Sequence, residues 1–117
     1  MNKVIDEIYN SRSVVGANVK VLELHSEVDR QEGEFLYNLI KNDSSIKKTL
    51  EVGCAYGLSA LHICEALRGR MDAEHIIVDP FQHTQWESAG ILNLEKANID
   101  FFRLIEKKSE FALPHLA

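Results

Sequence analysis

The stretch Leu50-Glu51-Val52-Gly53-Cys54-Ala55-Tyr56-Gly57-Leu58-Ser59-Ala60 constrains this chain more than any other. It reads as a buried apolar strand that runs into a bend bracketed by two glycines, with a helix opening directly behind it. Such a unit gathers bare backbone N–H groups and the positive end of a helix dipole at one point. That point is where α/β proteins hold anionic or polar ligands. Gly53 lets the backbone turn sharply, and Gly57 is expected to let a ligand come close to the chain. A plain strand–helix turn would use glycine in the same way, so the bend alone leaves both readings level.

The rest of the chain repeats the alternation. Phe35, Leu36, Leu39 and Ile40 form an apolar stripe that predicts a helix over about 28–41, with Ser26 as its N-cap and Asp29 three residues on. Asn42-Asp43-Ser44-Ser45 closes it. Leu58 to Arg68 predicts the next helix, with Gly69 as its C-terminal cap. Ile76-Ile77-Val78 is a compact β-branched run suited to a strand buried on both faces. Trp86 to Ala97 has helical character, Phe101 to Ile105 reads as a third strand, and Pro114 suits the first turn of a further helix. Helix followed by β-α-β-α-β implies a parallel sheet with right-handed crossovers. The fold class expected is α/β: an incomplete Rossmann-like doubly wound sheet of about three strands with flanking helices. Residues 1–25 are weakly patterned and read as a lead segment. Val4, Ile5 and Ile8 have helical spacing there, and Val14 to Leu24 suggests a short extended piece.

With 117 residues the chain is long enough for one domain with a real core. Its net charge of −5 argues against a nucleic-acid surface. Lys47-Lys48 and Lys107-Lys108 read as solvated strand ends. Cys54 and Cys64 have neither disulfide-framework nor zinc spacing, which fits a reducing, cytoplasmic setting. No apolar run reaches the length of a membrane span, and no leader-type apolar run is apparent at the N-terminus.

Few residues suggest chemistry. Glu51 sits just before Gly53. Asp79 falls at the carboxyl end of the next strand, facing the same crevice, where a carboxylate can accept two hydrogen bonds from a ribose diol. A turn aspartate ahead of Pro80 is the plainer alternative. Ser109-Glu110 follows the third strand at the same sheet edge and serves equally well as a helix cap. A dinucleotide fingerprint would need glycines at 53, 55 and 58, where the chain has Gly53, Ala55 and Leu58. A pyrophosphate is therefore a poor guest, and a nucleoside without phosphates fits better. Asp79 and His83 are too few to make a metal site, and His62 with Glu65 lacks the H-E-x-x-H pattern. His25 could point into the crevice, and Trp86 reads as packing or a lid contact.

Glu51-Val52-Gly53-Cys54-Ala55-Tyr56-Gly57-Leu58-Ser59-Ala60, followed by Ile76-Ile77-Val78-Asp79-Pro80, resembles the class I S-adenosylmethionine-dependent methyltransferases. The likeness is nearest to small-molecule O-methyltransferases, whose first motif often reads E-[IV]-G-x-x-x-G-x-S. It covers residues 26–117, taken as the N-terminal half of a cofactor-binding domain, and includes Gln31-Glu32-Gly33 and Ser109 to Pro114. By this resemblance Gly53 and Gly57 line the methionine part of S-adenosylmethionine, with Glu51 supporting the loop. Asp79 holds the ribose hydroxyls and Ser109 lies near the adenine. Ala55 stands where the commonest pattern has its middle glycine. The implied reaction is in-line transfer of the sulfonium methyl to a small-molecule acceptor, an oxygen first of all. The family's later strands carry the substrate pocket and any magnesium-binding aspartate, and they are not in this sequence. Their absence would leave the Leu50–Val52 strand as an apolar sheet edge, so a homo-oligomer across that edge is expected. A non-catalytic Rossmann-like interaction module and an NAD-dependent oxidoreductase are the alternatives, the latter disfavoured by Ala55 and Leu58.

Overall fold

The computed structural model describes residues 2–24 and 29–116. The expectations for His25 and Ser26 lie outside the described residues.

Helix α1 (Lys3–Ser11) is capped by Asn2, whose Oδ1 accepts the N–H groups of Val4 at 2.8 Å and Ile5 at 3.2 Å. Strands β1 (Ser13–Val15) and β2 (Val21–Glu23) pair antiparallel. The hairpin was not legible in the sequence because its connection uses left-handed conformations at Asn18 and Val19, not at a glycine. The buried faces of α1 and β1 (Val4, Ile5, Ile8, Val14) join Leu61, Cys64, Ile77 and Leu94 in one core. The lead segment thus contributes to the same core as the sheet and its helices.

Helix α2 (Arg30–Lys41) begins at Arg30, with Asp29 in the cap position making no side-chain cap bond. Next come β3 (Lys48–Val52), α3 (Leu58–Leu67), β4 (Glu74–Val78), α4 (Ala89–Lys96), β5 (Phe102–Ile105) and the short α5 (Ser109–Ala112). The three later strands form a parallel sheet in the order β3-β4-β5. Helix α4 starts later than its apolar pattern suggests because Glu87 and Ser88 adopt left-handed conformations just before it. Pro114 lies in the first turn of a short 3-10 helix (Leu113–His115) that follows α5.

One expectation about the first strand is corrected. β3 is one of the two edge strands of this sheet, and its apolar residues Leu50 and Val52 are 47% and 59% exposed. Its inward-facing positions are Thr49 and Glu51, which grip the fully buried His75 of β4. Thr49 Oγ1 lies 2.8 Å from His75 Nδ1, and Glu51 Oε1 lies 2.9 Å from His75 Nε2.

α2 crosses α3 where Gly33 lies against the His62 ring; a methyl group at Gly33 would lie 2.3 Å from His62 Cε1. His62 is buried, with Nδ1 2.8 Å from Leu58 O and Nε2 without a partner among the described residues. Burial pushes the His62 imidazole below its ordinary value, against smaller raising effects from the Leu58 carbonyl and Glu34. The folded chain thus holds the neutral ring, while the unfolded chain takes up a proton near pH ~6.5. Stability from this site is complete above that pH and is lost as pH falls through it, until the folded ring titrates too. Urea midpoints should fall from about pH 7.5 to about pH 5, and His62→Leu should flatten that slope. An unchanged slope would remove His62 as its source.

Candidate functional site

The bend between β3 and α3 is built by three left-handed residues, Gly53 (φ 86°), Ala55 (φ 50°) and Gly57 (φ 86°). It lies directly beside the end of β4. Gly53 N–H donates to Val78 O at 2.8 Å, and Cys54 N–H donates to Asp79 Oδ2 at 2.9 Å. Gly57 N–H closes the bend on Cys54 O at 2.8 Å. The structure thus brings Gly53 and Asp79 to one rim of the sheet, as a shared crevice requires.

The two glycines do different work. A Cβ at Gly53 would meet nothing within 4 Å, so this side of the bend is open. A Cβ at Gly57 would lie 2.9 Å from both Cα and O of Gly90. The first turn of α4 thus makes a close approach of its own at Gly57, through Gly90.

Asp79 is 2% exposed, and both its oxygens are engaged. Oδ1 accepts Phe81 N–H at 2.9 Å, while Oδ2 accepts Cys54 N–H and, at 3.3 Å, the amide of Gln82. Here the aspartate works first as a fastener between the bend and the turn after β4. Glu51 likewise holds structure: Oε2 accepts the Ser59 hydroxyl at 2.7 Å, tying the sheet to the first turn of α3. Ser109 opens α5 beyond β5, and among the described residues it shows no hydrogen bond to the bend or to Asp79. It shares the rim only through β5, whose Ile105 O accepts Asp79 N–H at 3.0 Å.

Three residues of the site were missed in the sequence. Gln82 is fully buried: its Nε2 donates to Ala55 O at 3.0 Å, and its Oε1 accepts Ile91 N–H at 3.1 Å. Asn93 on α4 donates to Tyr56 O at 2.9 Å. Gly90 makes the close approach. A glycine inside a helical run and a polar Asn93 amid Ile91, Leu92 and Leu94 were available signals; Gln82 carried none.

Burial and the nearby carboxylates of Glu51 and Asp79 push the Cys54 thiol far above its ordinary range, so it is no nucleophile. His83 turns away from Asp79: Nδ1 sits 2.5 Å from Ser88 Oγ and Nε2 2.9 Å from Glu106. That ion pair is half exposed and contributes little. Trp86 packs edge-on against Tyr56 at 5.1 Å. Among the described residues no three His, Cys, Asp or Glu side chains gather as a metal site, and no helix is long and apolar enough to cross a membrane.

No protein-family model matches the chain, and no curated protein does. Solved structures match it throughout. SAH-bound methyltransferase PaMTH1 from Podospora anserina is 21% identical, with 100% of this chain and 47% of that chain covered at a TM-score of 0.75. The O-methyltransferase from Bacillus cereus in complex with SAH is 17% identical, with 99% and 48% covered at 0.73. O-methyltransferase TomG from Streptomyces achromogenes, involved in tomaymycin synthesis and solved in complex with SAM, is 14% identical, with 99% and 48% covered at 0.72. The chain has the Rossmann-like α/β fold of these methyltransferases and spans about half of their length.

Proposed function

We propose that this chain is the cofactor-binding half of a cytoplasmic S-adenosylmethionine-dependent methyltransferase acting on an oxygen of a small molecule. The observation that carries the reading is the open left-handed Gly53 beside Asp79 at the rim of a parallel sheet. It supplies a cradle that a side chain would fill. When bound, the cofactor supplies an electrophilic methyl group. Gly53 and the backbone of Cys54 and Ala55 would lie along its methionine part. Gly57 would serve by letting α4 close behind the bend. Asp79 would offer a remaining lone pair to the ribose while fastening Cys54, and Ser109 would flank the adenine. Glu51, through Ser59, holds the start of α3 in place. Catalysis would rest on keeping methyl and acceptor oxygen in line.

Calorimetry with S-adenosylhomocysteine, NAD and NADP tests this reading. Heat of binding is expected only with the first. Binding to NAD instead, or to none of the three, would overturn the assignment.

The same reading extends to assembly. β3 carries unpaired backbone groups on its outer side next to exposed Leu50 and Val52, the kind of edge that recruits another strand. A homo-oligomer joined across β3 should sediment as a dimer or larger species, and Leu50→Lys with Val52→Lys should release monomers. A monomer at every concentration would remove this interface.

A further inference from the structure

We propose that Gln82, with Asn93 beside it, is a positioning residue that holds the glycine bend in its ligand-ready shape. The bend's two central carbonyls, Ala55 O and Tyr56 O, both turn inward, toward the loop before α4 and toward α4 itself. The first is taken by Gln82 Nε2 at 3.0 Å and the second by Asn93 Nδ2 at 2.9 Å. Both donors are carboxamides, and both are buried, Gln82 completely.

The orientation of Gln82 is fixed by its surroundings. Its Oε1 accepts Ile91 N–H at 3.1 Å, so its Nε2 must face the other way, toward Ala55 O and Asp79 Oδ2. One side chain thereby joins three separate pieces: the bend, the end of β4 and the first turn of α4. A carbonyl released from this clasp would seek another donor and rotate the peptide, and rotation at Ala55 or Tyr56 would bring a lone pair toward the open Gly53 side. There it would oppose the carboxylate and ribose oxygens of a bound ligand. Gly90 supports the arrangement: a Cβ there would lie 2.8 Å from Gln82 Oε1 and 2.7 Å from Ala55 O, so only glycine leaves the clasp its room. Neither amide needs to touch the ligand, and both act through the backbone they hold.

The ligand part of this inference rests on the methyltransferase reading; the backbone part does not. The experiment therefore has two arms. Hydrogen exchange of the amides at 53–57 is measured in the ligand-free protein for wild type, Gln82→Met and Asn93→Leu. Leu94→Val, a buried change on α4 without bonds to the bend, is the control for general destabilisation. Gln82→Met should speed exchange at Gly53, Cys54 and Gly57 by about tenfold, the scale of one lost hydrogen bond. The control, compared at matched melting temperature, should leave those amides within about twofold of wild type. Calorimetry with S-adenosylhomocysteine should show an affinity about tenfold weaker for Gln82→Met and unchanged for Leu94→Val. Equal exchange in Gln82→Met and the control overturns the inference. Should Gln82→Met not fold, Asn93→Leu and Gln82→Glu decide by the same two measurements. A wild type that shows no heat with S-adenosylhomocysteine speaks against the methyl-donor reading, and the exchange arm still decides the role of Gln82.

Discussion

Asp79→Asn is expected to lower both the stability of the fold and its affinity for S-adenosylhomocysteine, and Asp79→Ala to lower both further. The carboxylate accepts three donors in a buried setting: Cys54 N–H, Phe81 N–H and the Gln82 amide. Asparagine must present its NH2 group to at least one of them, in either orientation. A buried donor left without its acceptor costs about 1–3 kcal/mol; alanine leaves Cys54 N–H in that state, strips the part-buried Phe81 N–H of its partner and leaves the Gln82 amide with Ala55 O alone. Against a domain stability of about 5–15 kcal/mol, the alanine variant should lose a clear share of its stability and show a lowered urea midpoint. Urea unfolding reads this part. Calorimetry on the folded asparagine variant reads the other part, where one lost charge-assisted bond should weaken binding by about tenfold or more. Lowered stability with an affinity unchanged within about twofold would make Asp79 a fastener alone and take it out of the ligand site.

The architecture was legible in the sequence wherever apolar periodicity and glycine placement agreed. The helix from Leu58, the strand ending at Val78 and the strand ending at Ile105 fall within a few residues of their expected spans. The β1–β2 hairpin was not legible, because its left-handed turn residues are Asn18 and Val19, while Gly16 in the same connection stays extended. At β3 the reading as a buried strand did not hold, while the expected apolar edge did: Leu50 and Val52 are exposed, and Thr49 and Glu51 face the buried His75. At the site, the spacing of Gly53 and Asp79 was informative because both lie at strand ends, where a parallel sheet brings them together. Of the two buried amides, Asn93 left a signal among its apolar neighbours and Gln82 left none. Nothing in the one-dimensional pattern distinguishes Gln82 from a solvated glutamine, since its burial follows from the turns at Glu87 and Ser88 that fold the loop under α4.

The two glycines of the bend should separate binding from folding. Both have φ 86°, so alanine at either position meets the same left-handed penalty of about 1–2 kcal/mol. Their surroundings differ. At Gly53 the new methyl group enters open space, so Gly53→Ala should fold with a modestly lowered urea midpoint. The same methyl would occupy the side on which the methionine part of the cofactor is proposed to lie, and affinity for S-adenosylhomocysteine should fall by at least about tenfold. At Gly57 the methyl would collide with the backbone of Gly90 at 2.9 Å, and neither chain can yield without moving α4 from the core. Overpacking of this kind adds about 1–3 kcal/mol, so Gly57→Ala should be the less stable variant by a clear margin. Urea midpoints for the two proteins, followed by calorimetry on whichever remains folded, complete the comparison. Wild-type affinity in Gly53→Ala would mean that the ligand does not approach the bend from its open side, and the proposed placement of the cofactor would have to be abandoned.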